Sequence, residues 1–151
     1  MLGAHSDTLL LTHVIWATRH RKAALPLAFD GWFADFAAYA CGRIGCDLVS
    51  VGNASDHVHV VARLAPSITV ADVVHRLKGG SSYAWNARPG RRPPLRWQTG
   101  YWARSIDQEG LVMLTGYVRD QRVRHAAATT LAAWEQNEAT LVECVDEVDA
   151  R

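Results

Sequence analysis

The sequence predicts an α+β domain of the ferredoxin-like (RRM-like) class: an antiparallel sheet in the order βαββαβ, with helices on one face and further helices after it. Three observations carry that expectation. Strand-like and helix-like apolar periods alternate along the chain. Two strand-like runs in the middle are separated by a turn alone, which makes them a hairpin. The length of 151 residues suits one globular unit, 1–151, with a core at 8–125 and a last helix at 126–146.

Residues 8–18 (TLLLTHVIWAT) are apolar and β-branched, as a buried central strand requires, and they end in the basic turn RHRK. Residues 30–42 place Phe33, Phe36, Ala37 and Ala40 at helical spacing between a capping Asp30 and a terminating Gly42. Residues 46–51 read as a strand, 52–56 as a turn of Gly, Asn, Ser and Asp, and 57–64 as the returning strand. In 69–85, Val70, Val73, Val74 and Leu77 mark a second helix capped by Ser67 or Thr69. The stretch RPGRRPP at 88–94 is a loop, because adjacent prolines remove two backbone donors. Residues 98–106 supply a fourth strand and 107–124 a third helix. A fourth helix over 126–145 has Leu131, Trp134, Leu141, Val142 and Val145 on one stripe.

No run approaches the roughly 18 apolar residues that span a bilayer, and no signal peptide is recognisable, so a cytoplasmic protein with no membrane partner is expected. Cys41, Cys46 and Cys144 are odd in number and form no C-x-x-C pair, so they read as reduced, packed thiols. The net charge of +1 conceals an asymmetry: residues 1–125 carry 15 Lys+Arg against 9 Asp+Glu, whereas 126–151 carry 1 against 6. Basic clusters on the main body suit either a phosphate-bearing partner or a solvated surface.

In SDHVHVVARL, strand alternation turns His57 and His59 to the same side, with Cα atoms roughly 7 Å apart. That spacing serves two packed imidazoles or two that converge on one divalent ion. Tyr117 and Gln121 in GYVRDQRVRH are four apart and share a helix face, either as a packed pair or as a site. Gly116 before the tyrosine is costly within a helix unless close approach or flexibility is wanted.

Taken in order, HVIWATRHRK, SDHVHVV, HRLKGGSSYAWN, WQTGYWARSI and GYVRDQRVRH resemble the HUH single-tyrosine transposases of small bacterial insertion sequences. That group includes the REP-associated tyrosine transposases, and the resemblance runs over residues 9–135. It implies that His57 and His59 bind a divalent cation, Mg²⁺ or Mn²⁺, with Gln121 as third ligand and Tyr117 as nucleophile. It implies cleavage and rejoining of single-stranded DNA, with hairpin ends, through a 5′-phosphotyrosine, by a protein that is typically a homodimer. A domesticated, non-catalytic nucleic-acid-binding module of the same fold is the alternative. Asp56 either orients a histidine from behind or accepts a bond within the hairpin turn. His13 and His125 are within reach of such a site or are ordinary packed and surface histidines.

The basic residues then become candidate phosphate contacts: Arg19, Arg21 and Lys22, Arg76 and Lys78, and Arg91, Arg92 and Arg96. Trp85, Trp97 and Trp102 serve either as stacking platforms for bases or as core.

Overall fold

The computed structural model describes residues 7–135. Four strands, β1 (Leu10–Ala17), β2 (Asp47–Asn53), β3 (His57–Leu64) and β4 (Trp102–Ser105), form one sheet in the order β2-β3-β1-β4. Every pairing is antiparallel. Helices α1 (Leu27–Arg43) and α2 (Val70–Asn86) are the two crossovers, and α3 (Leu111–Arg119) and α4 (Gln121–Ala126) follow β4. This is the expected ferredoxin-like α+β arrangement. No helix among the described residues is long and apolar enough to cross a membrane.

The sheet is covered on both sides, and the two coverings have different chemistry. On one side Val14 and Trp16 of β1 and Val58, Val60 and Ala62 of β3 pack against Phe29, Phe33 and Ala37 of α1 and Val73, Leu77 and Trp85 of α2. Burying such side chains completely, as at Phe29 and Phe33, contributes about 2–3 kcal/mol each. On the other side Val61 meets Leu114, Tyr117 and Val118 of α3. The central strands β1 and β3 are buried along nearly their whole length for this reason.

Several boundaries differ from the sequence expectation. α1 begins at Leu27, not at Asp30, because Phe29 adds one more turn to the stripe Phe29, Phe33, Ala37, Ala40. Asp30 lies within the first turn, and its carboxylate accepts from Arg122 and Asn53. The reversal of hand comes at Gly45 (φ 73°), with Gly45 and Cys46 donating back to Gly42 and Cys41, a Schellman ending one residue past the expected Gly42 stop. α2 starts where expected, in a reciprocal capping box between Thr69 and Asp72.

β4 is shorter than expected. Gly100 (φ 84°) breaks the extended path, and the Lys78 ammonium takes the carbonyls of Gln98 and Gly100 at 2.7 and 2.9 Å. The single expected helix over 107–124 is two: α3 ends at Arg119, Asp120 leaves helical geometry (φ −93°, ψ 17°), and α4 resumes at Gln121. Over the described part of the last expected helix, 126–135, the backbone leaves helical geometry after Ala126. Ala128 has φ 53°, and the chain runs through a short 3₁₀ turn, Ala132–Trp134, whose indole packs edge-on against Tyr117. The rest of that expected helix, including Cys144, lies outside the described residues. Cys41 and Cys46 are buried and free, as expected, and burial raises the Cys41 thiol to about 11.

Candidate active site

Alternation along β3 sends Val58 and Val60 into the α1/α2 core and leaves His57 and His59 on the face that α3 covers. The register of β1 against β3 pairs His13 with Val61 and Ile15 with His59, which puts His13 on that same face. α3 contributes Tyr117, and α4 opens with Gln121. All five side chains are almost wholly buried.

What allows α3 to lie so low on the sheet is Gly52 of β2. A Cβ built there would fall 1.7 Å from the Val118 carbonyl oxygen and 2.7 Å from its carbon. The backbone of the tyrosine helix therefore rests directly on the strand, with Ser50 Oγ donating to the Thr115 carbonyl beside it at 3.3 Å. Gly116 has no such duty: a Cβ there would meet nothing within 4 Å.

The polar atoms converge on Glu135. Its Oε2 lies 3.3 Å from His57 Nε2, 3.4 Å from His59 Nε2 and 3.6 Å from His125 Nε2. Its Oε1 accepts from the Tyr117 hydroxyl, which in turn accepts from the Leu131 backbone N–H at 3.0 Å. Gln121 Oε1 is 3.3 Å from His57 Nε2, and its amide nitrogen donates to the Tyr117 carbonyl at 3.2 Å. On the far side of His57, Asp56 Oδ1 is 2.7 Å from Nδ1, while Asp56 Oδ2 is 3.5 Å from Arg21 Nη1. Behind His59, His13 Nε2 lies 2.9 Å from Nδ1.

Burial opposes charge on His57, but the Asp56 and Glu135 carboxylates outweigh it and raise this imidazole above its ordinary value. His59 is pushed down to about 4 and His13 to about 3, in both cases chiefly by burial. Burial also works against ionised Glu135, yet the histidines hold it well below the usual carboxylate range. The Tyr117 phenol is raised by burial and by its bond to Glu135, so it is a poorer nucleophile in this arrangement than in water.

Imidazole nitrogens of His57 and His59 and a carboxylate oxygen of Glu135 lie within 4.8 Å of one another, a separation that one metal ion can bridge. His59 Nε2 is fully buried and has no hydrogen-bond partner among the described residues. A buried ring nitrogen that faces a carboxylate and a second imidazole without a hydrogen bond of its own is compatible with a cation between them. With the Gln121 amide oxygen the donor set is two nitrogens and two oxygens. That fits Mn²⁺ or Mg²⁺ better than two histidines and an amide alone.

The structure thus brings together Asp56, His57, His59, Tyr117 and Gln121. It splits the basic residues. Arg19 and Arg96 are exposed and joined by a backbone bond, Arg19 N–H to the Arg96 carbonyl, at the end of β1 nearest Asp56, with Arg21 and exposed Lys22 beside them. Arg76 is exposed on α2, in a groove with Arg43 on the opposite side of the sheet. Lys78 is occupied by two carbonyls. Arg92 lies over the Trp85 ring and donates to the Trp85 and Pro89 carbonyls, while Arg91 is exposed. Trp85, Trp97 and Trp102 pack into the body of the protein, the plainer of their two readings.

Glu135 escaped the sequence reading. It lies in the middle of the segment 126–145 that reads as an amphipathic helix, and no spacing from a histidine or tyrosine marks it. His13 and His125 were singled out only as histidines within reach. The register of β1 explains the first, and a 4.6 Å ring contact with His57 the second.

Among solved structures, a candidate transposase from Deinococcus radiodurans R1 is 22% identical, with a TM-score of 0.58 over 81% of this chain and 98% of the other. A REP-associated tyrosine transposase bound to a REP hairpin is 12% identical, with a TM-score of 0.60 over 82% of this chain and 74% of the other. Both likenesses are of fold. No curated protein matches the chain. The family model for IS200-like transposases matches residues 6–121, from before β1 to Gln121, and the chain belongs to that family.

Proposed function

We propose that the protein is a metal-dependent DNA transposase that cuts and rejoins single-stranded DNA through Tyr117. The observation that carries the reading is the meeting of His57 Nε2, His59 Nε2 and the Tyr117 hydroxyl on one carboxylate, Glu135. A module that only binds DNA has no use for a tyrosine hydroxyl held against a histidine pair. His57, His59, Gln121 and Glu135 would hold Mn²⁺ or Mg²⁺. Such an ion polarises the scissile phosphate and offsets the charge that develops on it.

The protein's own groups supply the rest. A phenol with a pKa near 10 is ionised to about one part in a thousand at neutral pH, a deficit of about 4 kcal/mol that burial enlarges here. Glu135 Oε1 accepts the phenol's hydrogen bond and is the nearest acceptor for its proton as the bond to phosphorus forms, a weak base while the histidines hold it low. In-line attack forms the bond from Tyr117 oxygen to phosphorus and breaks the bond from phosphorus to the 3′ oxygen. The departing 3′ oxygen takes up the proton that left the phenol, returned from Glu135, so the products are a 5′-phosphotyrosine and a free 3′ hydroxyl. The covalent link keeps the phosphodiester's energy, so rejoining needs no ATP. Asp56 and Gln121 hold His57 from two sides, and α3 fixes the direction of the phenol.

Arg19, Arg21, Lys22 and Arg96 stand at the end of β1 beside Asp56, where a DNA backbone approaching the site would pass. One chain brings the histidines, the glutamine and the tyrosine together, which supports a site completed within one subunit. Tyr117 is 1% exposed, with the Leu131 N–H donating to its hydroxyl and Trp134 packed on its ring, so the DNA must displace those two contacts to reach it. The same burial favours a second reading, a DNA-binding module that has lost cleavage. Incubation with single-stranded DNA carrying a hairpin and Mn²⁺ separates them on a denaturing gel. A covalent adduct that the wild type forms and Tyr117→Phe does not supports the first reading, and salt-sensitive binding without an adduct supports the second.

A further inference from the structure

We infer that His13 is a positioning residue for the metal site, the hydrogen-bond acceptor that fixes His59 in the tautomer able to bind a cation through Nε2. The inference rests on the reading of His57 and His59 as ligands. Each imidazole must present Nε2 as a bare lone pair, and its remaining proton then has to sit on Nδ1 and find an acceptor. For His57 that acceptor is Asp56, 2.7 Å away and able only to accept. For His59 no carboxylate among the described residues stands in the corresponding place. The atom facing Nδ1 is His13 Nε2, at 2.9 Å, on the neighbouring strand.

The pair is held as a unit. The two rings are stacked at 5.1 Å with 23° between their planes, and His13 abuts the Trp102 indole edge-on at 5.1 Å. The Arg104 guanidinium covers that indole at 4.8 Å. Trp102 thus walls one side of the His13 ring, and His59 the other. An imidazole at position 13 can give or take the shared proton. His59 can therefore donate to it when a cation takes Nε2, and accept from it when Nε2 keeps its proton against Glu135. A carboxylate there would permit only the first state and add a negative charge behind the ligand.

Mn²⁺ titration followed by electron paramagnetic resonance measures the effect without DNA or activity. The wild type should bind Mn²⁺ in a manner that His57→Ala and His59→Ala abolish. His13→Leu, which keeps volume and removes the acceptor, should weaken binding by about tenfold or more. His13→Gln, whose amide oxygen can accept, should recover most of it. In the Mg²⁺-loaded wild type, nitrogen-15 NMR should find the His59 proton on Nδ1. Equal affinity in His13→Leu and wild type, equal losses in His13→Leu and His13→Gln, or a loaded His59 without an Nδ1 proton would each overturn the inference. If His13→Leu does not fold, His13→Met against His13→Gln makes the same comparison. Wild-type Mn²⁺ binding that ignores His57 and His59 would overturn the reading of the site itself, and this inference with it.

Discussion

At the scale of single residues the site is governed by where protons sit. His57 is buried between Asp56 and Glu135, which raise its affinity for a proton, so without a cation the proton occupies the place a cation needs. Metal binding must expel it. Below the raised pKa of His57, Mn²⁺ affinity should climb by about tenfold per pH unit, and above it the curve should flatten. Titrations between pH 6 and 9 will show this, and a flat profile would mean that His57 is not a ligand. The metal-free fold has the matching dependence. His57 contributes stability that is full below 6.5, its unfolded value, and is lost as pH rises through its raised folded value. His13 and His59, lowered to about 3 and about 4, act oppositely: they stay neutral while the unfolded chain gains protons, so they cost stability as pH falls below 6.5. Two histidines on one strand face were legible from strand alternation. Glu135 was not, because a carboxylate contributed after a helix break has no fixed spacing from the histidine pair it meets.

At the scale of elements, the placement of α3 decides whether the tyrosine meets the histidines at all. Gly52→Ala would drive a methyl group into the Val118 backbone, which cannot rotate away, so α3 must lift from β2. We expect a loss of about 2–3 kcal/mol in denaturant unfolding and a larger proportional loss of covalent adduct. Gly116→Ala is the counterpart. Its methyl meets nothing, so it should stabilise α3 by about 0.5–1 kcal/mol. If the two substitutions have equal effects, close packing of α3 on β2 is not what positions Tyr117. Sequence reading flagged Gly116, because a glycine inside a helical period is conspicuous. Gly52 hid in a stretch that reads as an ordinary hairpin turn, and only the register of β2 against β3 and the descent of α3 reveal its role. The strands and first two helices were legible because each has a complete apolar period. The long third helix was misread for a related reason: its period persists through Asp120, although the backbone does not.

At the scale of the whole molecule, the glutamine helix α4 is tied to the first turn of α1 by an ion pair that spans 92 residues of sequence. Arg122 grips Asp30 through Nε and Nη2 at 2.6 Å each, and Nη2 also donates to the Leu25 and Pro26 carbonyls that precede α1. Asn53, at the end of β2, donates to the same carboxylate at 2.8 Å, so α1, α4 and the central hairpin meet at Asp30. No sequence rule links an aspartate in the first turn of one helix to an arginine so far along the chain, which is why Asp30 reads as a simple cap. Both side chains keep solvent contact, and the pair should therefore contribute only about 1 kcal/mol to global stability. Its effect on the site should be larger, because Arg122 follows Gln121 directly and α4 is too short to hold its orientation unaided. Asp30→Ala and Arg122→Ala should each cut adduct formation about tenfold or more while lowering unfolding free energy by about 1 kcal/mol. The double variant should be little worse than either single one, since both remove the same clamp. Additive losses in adduct formation would show that the two residues act separately and that α4 is held by something else.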